Sequence, residues 1–130
     1  MGRTMTKLLF LAIGGATGAV LRYSVSLATA RYMGEAMPWG TLMVNVIGAF
    51  CIGVLSGLFE GTDMSHNMKL LLFVGLLGAF TTFSAYSLES FNLFREGQVK
   101  MALSNILINN AACITMVFTG FLIASSFKKF

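Results

Sequence analysis

The sequence predicts an all-α membrane protein of four transmembrane helices, the third broken at its centre. Three observations carry this. Of 130 residues, 56% are hydrophobic and only 11% are charged, whereas a soluble domain carries about a quarter charged residues. The apolar residues fall into four stretches, about 8–32, 41–59, 69–94 and 101–127, and a spanning helix needs roughly 20 such residues. The third stretch has Gly78-Ala79-Phe80-Thr81-Thr82-Phe83-Ser84-Ala85-Tyr86-Ser87 at its middle, glycines and hydroxyls interleaved with aromatics. A single integral membrane domain therefore fills residues 1–130, with no room for a soluble one.

Span one follows Arg3 and Lys7 and carries Gly14 and Gly18 at the GxxxG spacing of close helix contacts. Ala28-Thr29-Ala30 resembles a small-residue cleavage site, but Arg22 interrupts the apolar region and favours a retained helix. Arg22 is the one charge well inside this span; it either snorkels to the interface or serves a buried partner or pathway. Pro38 suits a helix start and Trp39 an interfacial anchor. Span two repeats the glycine spacing at Gly53 and Gly57, with Ala49 one turn earlier, and holds Asn45 with Gly48 three residues on. The loop after it, with Glu60, Asp63 and His66, reads as aqueous, and a solvated loop histidine is expected at His66.

In span three, a backbone break at membrane depth survives only where protein or a water-filled cavity satisfies its polar groups. Such breaks commonly mark ion or substrate sites near the midplane. An unbroken glycine- and threonine-rich packing helix is the competing reading of the same residues. Glu89 lies about two turns past the break. On span four, Asn105, Asn109 and Cys113 fall at i, i+4 and i+8, one helical stripe, while Asn110 points elsewhere. Amides in a lipid-embedded helix are costly unless something polar faces them. Cys51 and Cys113 both lie in spans and read as small core residues rather than a disulfide or metal pair.

Four spans put both termini and the middle loop on one side, with Arg3, Lys7, Lys69, Lys128 and Lys129, against Arg31, Arg95 and Lys100 on the other. Five positives against three is a weak orienting instruction. A chain so weakly oriented can insert both ways, and two opposed copies would then form a dimer with an inverted repeat like those within single-chain transporters; a difference of two charges can equally suffice to orient every copy alike. The net charge of +4 is scattered at span ends, so no nucleic-acid surface is expected.

No enzyme assembles from these residues: there is no Ser-His-Asp set, metal-ligand cluster or intramembrane carboxylate pair. What remains are neutral donors, Asn45, Thr82, Ser84, Asn105 and Asn109, with the rings of Phe80, Phe83 and Tyr86. Neutral donors and electropositive ring edges suit a small, strongly accepting anion. Composition alone leaves open an anion pathway and a well-packed polar seam. A small multidrug-resistance-type transporter needs a carboxylate in its first span, and Leu8 to Tyr32 contains none. A non-transporting membrane assembly protein, its asparagines gluing helices, is the other rival.

The runs Gly14-Gly15-Ala16-Thr17-Gly18-Ala19-Val20-Leu21-Arg22-Tyr23, Gly40-Thr41-Leu42-Met43-Val44-Asn45-Val46-Ile47-Gly48 and Gly78-Ala79-Phe80-Thr81-Thr82-Phe83-Ser84 together resemble the CrcB/Fluc fluoride channel family. The resemblance implies a dual-topology, antiparallel homodimer in the inner membrane, with two pathways that export fluoride passively from the cytoplasm. It makes Asn45 the pore-lining asparagine and Phe83 the first ring of an aromatic box. It implies that backbone carbonyls of Gly78 and Thr81, from both subunits, hold a structural sodium ion. Arg22 corresponds to the vestibule arginine, Glu89 to the acidic residue after the break, and Asn105, Asn109 and Cys113 to a polar track. The second box position, usually phenylalanine, is Tyr86 here; its hydroxyl adds a donor that either holds fluoride more tightly or narrows the path.

Overall fold

The computed structural model describes residues 2–34 and 37–128, which form helices with no strand among them. In chain order these are α1 (Gly2–Met33), α2 (Trp39–Leu58), α3 (His66–Lys69), a π-helical stretch (Leu70–Leu77), α4 (Gly78–Phe80), α5 (Phe83–Arg95) and α6 (Val99–Phe127). Grouped by continuity they make four helical stretches long and apolar enough to cross a bilayer, the third being His66–Arg95. The chain is a multi-pass membrane protein.

The connections are short, and each of three turns at a glycine with positive φ: Gly34 at 75°, Gly61 at 70° and Gly97 at 77°. A left-handed residue ends a helix without the Cβ clash that other residues suffer there. Pro38 stands at the N-cap of α2, and Ser65 caps α3 by accepting from the Met68 N–H. The Lys128 ammonium donates to the Glu60 carbonyl, which ties the end of α6 to the loop after α2. The middle loop and the end of the last helix therefore share one end of the bundle. Lys129, counted among the charges of that side, lies outside the described residues.

Lipid tails are as apolar as leucine, so the hydrophobic effect does little to hold membrane helices together. Leu9, Val20, Leu107, Phe118 and Leu122 accordingly point outward and are exposed. What holds the helices is close backbone approach. A methyl added at Gly14 would collide with the Leu71 carbonyl oxygen, and one at Gly18 with that of Leu76, so α1 rests directly on the π-helical stretch. Gly75 answers from the other side, with the Leu11 carbonyl oxygen 2.9 Å from where its Cβ would stand. Between α2 and α6 the same lock recurs: Gly53 against the Val117 carbonyl, Gly57 against the Ala124 methyl and Gly120 against the Phe50 carbonyl. Ala49, one turn from Gly53, is buried on this face as well.

Gly53→Ala should push α2 from α6 and destabilise the protein by about 1–3 kcal/mol, the usual penalty for overpacking. Gly15→Ala, whose Cβ meets nothing within 4 Å, should leave stability unchanged. Thermal unfolding in detergent micelles checks both.

Candidate functional site

Between α4 and α5 the helix stops for two residues. Thr81 (φ −80°, ψ 158°) and Thr82 (φ −149°, ψ 116°) are extended, and helix resumes at Phe83. The extended segment would leave bare backbone groups in the bundle, and α2 supplies the answer. The Asn45 amide pairs with both backbone groups of Thr82: the Thr82 N–H donates to Asn45 Oδ1 at 2.8 Å, and Asn45 Nδ2 donates to the Thr82 carbonyl at 3.1 Å. The Thr82 hydroxyl then caps α5 by accepting from the Ala85 N–H at 3.1 Å. The Thr81 hydroxyl donates to the Leu77 carbonyl at 3.0 Å. Its methyl fills the place where a side chain at Gly48 would stand, so only glycine fits there.

These bonds have a consequence for the carbonyls. In an unbroken helix the Thr82 N–H would donate to Gly78 and the Ala85 N–H to Thr81, by the i→i−4 rule. Both donors are committed to side chains instead. The Gly78 and Thr81 carbonyls are thereby left without their helical partners. Gly78 is exposed, and a Cβ there would have only the Phe73 carbonyl oxygen nearby, at 3.6 Å.

From Asn45 a line of amides runs into α6. Its Nδ2 also donates to Asn109 Oδ1 at 3.2 Å, Asn109 Nδ2 to Asn105 Oδ1 at 3.4 Å, and Asn105 Nδ2 to the Ser90 hydroxyl of α5 at 3.0 Å. Ser90 passes its own hydrogen to the Tyr86 carbonyl at 2.9 Å. The Cys113 thiol lies 3.9 Å from Asn109 Oδ1. Asn105 is wholly buried, so burying these amides is made affordable by their bonds to each other. Ser90 escaped the sequence reading, although it sits one turn after Tyr86 on the same face of α5. So did Thr41, one turn before Asn45, whose hydroxyl donates to Glu89 Oε1 at 2.5 Å. Glu89 Oε2 is buried with no partner among the described residues.

A cavity of about 360 Å³ opens along one flank of this network. At roughly 30 Å³ per water it has room for on the order of ten waters. Asn45, Thr82, Asn109 and Cys113 form its polar wall, Phe83 and Tyr86 its aromatic wall, and Gly78 and Thr81 also border it. The two rings meet edge to face, with centroids 5.3 Å apart and planes at 62°. Tyr86 is buried, whereas Phe83 is 76% exposed on the open side. Asn110, which the sequence reading set apart from the stripe, also lines this cavity and donates to the Tyr86 hydroxyl at 2.9 Å.

The remaining site residues lie elsewhere. Ser84 and Arg22 line a separate hollow with Thr41, and Thr82 borders both that hollow and the cavity beside Asn109. Glu89 sits with Thr41 in an adjoining recess beside Trp39. Asn105 is in the wall of none of these and acts from behind, through Asn109. Thr82 is thus the partition between a hollow bearing one fixed positive charge and a cavity of neutral donors and ring edges. Asn45→Leu should leave the Thr82 N–H and carbonyl unpaired, at about 1–3 kcal/mol for each buried group. Its thermal midpoint in micelles should fall below that of Asn109→Leu, which leaves the pairing to Thr82 in place.

Comparison with known proteins finds relatives along most of the chain. A fluoride-specific ion channel FluC of Shewanella loihica is 46% identical over 116 residues, covering 89% of this chain and 94% of its own length. The protein of the same name from Shewanella denitrificans is likewise 46% identical over 116 residues, with the same coverage. That from Shewanella halifaxensis is 43% identical over 116 residues, again covering 89% of this chain and 94% of its own. The family model described as CrcB-like protein, Camphor Resistance (CrcB), matches residues 9–121, which reach into all four crossings and include every residue of the cavity, and the chain belongs to that family.

Proposed function

We propose that this protein is a fluoride-selective channel that lets fluoride leave the cytoplasm passively across the inner membrane, and that it works as an antiparallel homodimer. The observation that carries the reading is the meeting of neutral donors with edge-presenting rings in one cavity, in a chain whose relatives are named fluoride-specific ion channels. Fluoride accepts hydrogen bonds strongly, and a ring edge offers it a partial positive charge. No fixed cation stands in the cavity wall, so binding stays weak enough for the ion to leave. Arg22, in the hollow beyond Thr82, raises the local anion concentration at the mouth. Glu89 holds the Thr41 hydroxyl in the same region.

Three features support the dimer. The cavity of one chain is far wider than one small ion needs, and a second surface would narrow it. Phe83, a large ring, stands 76% exposed on the open flank, where a second copy would cover it. The basic residues, five on one side and three on the other, give only weak orientation. The extended dihedrals at Thr81 and Thr82 support a third crossing interrupted at its centre.

The freed Gly78 and Thr81 carbonyls suit a hard monovalent cation better than any side-chain cluster does; among the described residues no group of three or more His, Cys, Asp or Glu comes together. In this reading the pair of carbonyls from each copy holds a structural sodium ion at the dimer centre. Its charge would offset the carbonyl dipoles that the interruption leaves unpaired.

Purified protein in liposomes should release fluoride, read with an electrode, far faster than protein-free vesicles. Phe83→Ile, which removes the ring edge but keeps an apolar side chain, should lower that efflux by at least tenfold while the dimer persists on size exclusion. Gly78→Trp should abolish the dimer and leave helicity by circular dichroism intact, because a side chain there meets nothing tight within one chain.

A further inference from the structure

In the cavity between Asn45 and the aromatic pair most strong donors are already committed. Asn45 gives its amide hydrogens to the Thr82 carbonyl and to Asn109. Asn110 gives its own to the Ile106 carbonyl at 2.7 Å and to the Tyr86 hydroxyl at 2.9 Å. The Thr81 hydroxyl hydrogen goes to Leu77. The Tyr86 hydroxyl differs from these: its hydrogen finds no acceptor among the described residues.

The bond to Ile106 fixes which way round Asn110 sits. A backbone carbonyl can only accept, so the amide NH2 must face it; the reverse orientation would set two oxygens 2.7 Å apart. The same NH2 then faces Tyr86, and the hydroxyl oxygen must be the acceptor there. Its own hydrogen is forced to another direction. Tyr86 is only 8% exposed, and a buried phenol without an acceptor is poorly satisfied. Tyr86 and Asn110 both line the cavity, so an anion held there would supply the acceptor that this hydrogen needs.

We infer that Asn110 orients the Tyr86 hydroxyl as a hydrogen-bond donor to the permeating anion, making this pair a fluoride-binding element on the aromatic wall. Tyr86 contacts the ion, and Asn110 is a positioning residue acting through it. A phenylalanine at Tyr86 would offer a ring edge alone; here the ring carries a directed donor, which tightens the site and slows exit. The inference rests on the fluoride-channel reading.

Efflux from proteoliposomes over a range of fluoride concentrations tests the two ideas separately. Wild-type protein that carries no fluoride overturns the channel reading itself. Given wild-type flux, Tyr86→Phe should raise the half-saturating fluoride concentration about tenfold and increase the maximal rate, because a weaker site releases its ion sooner. Asn110→Ala should move both quantities in the same direction by about threefold, since the hydroxyl remains but is no longer oriented. A Tyr86→Phe channel whose half-saturation stays within twofold of wild type overturns the inference. So does one whose maximal rate merely falls, the result expected of a ring that only packs. If Asn110→Ala leaves half-saturation unchanged, the orienting role is overturned. Should Tyr86→Phe not assemble, the Asn110→Ala measurement decides alone.

Discussion

The side-chain amide of Asn45 and the main chain of Thr82 form the pairing on which the rest of the molecule depends. Lipid offers no hydrogen bonds, so an extended segment inside a membrane protein must find its partners in the protein. One asparagine serves both the N–H and the C=O of the same residue, as a neighbouring β-strand would. With that satisfied, Thr82 is free to cap α5, α5 is free to start in a new direction, and Tyr86 comes to face α6 while Phe83 stands on the open flank. The same pairing diverts the N–H that Gly78 would have used. The interruption and its freed carbonyls are therefore two results of one contact.

The amides of α6 extend the logic. A lone asparagine in a membrane helix is a liability, whereas here Asn105 and Asn109 are links between Ser90 of α5 and Asn45 of α2. Each takes a bond from one neighbour and gives one to the next, so the three helices around the cavity share one network. In a low-dielectric interior such bonds strengthen one another, and a missing member is correspondingly expensive. The polar side of the cavity wall is tolerated because its members are bonded to each other first; they meet an ion as a fixed array.

Much of this was legible in the residues. Four apolar stretches with few charges announce the crossings, and the Gly14/Gly18 and Gly53/Gly57 spacings mark where backbones touch. The four-residue spacing of Asn105, Asn109 and Cys113 places them on one stripe whatever the register of neighbouring helices. Partners across helices were not legible, because they depend on rotation and depth that no local pattern sets. Asn45, pore-lining by the family resemblance, does border the cavity, but its commitment to Thr82 and Asn109 could not be read from the chain. Asn110, set apart from that stripe with a neighbouring helix as its expected partner, does reach the Tyr86 hydroxyl of α5, though nothing in the sequence names that partner. Thr41 and Ser90 carried a signal, each one turn from a residue already singled out, but only the opposing carboxylate and amide reveal their use.

The contacts of Gly14, Gly18, Gly53, Gly57 and Gly120 carry a further meaning. All five abut a carbonyl oxygen, Gly57 that of Phe121 as well as the Ala124 methyl, so the frame is assembled largely main chain to main chain. Main-chain atoms are common to every residue type. Mutation can therefore redraw the chemistry of the hollow, exchanging a thiol for a hydroxyl or a phenol for a plain ring, while the scaffold around it keeps its dimensions. A chain built this way separates what it must preserve, a handful of positions without side chains, from what natural variation or an engineer can retune.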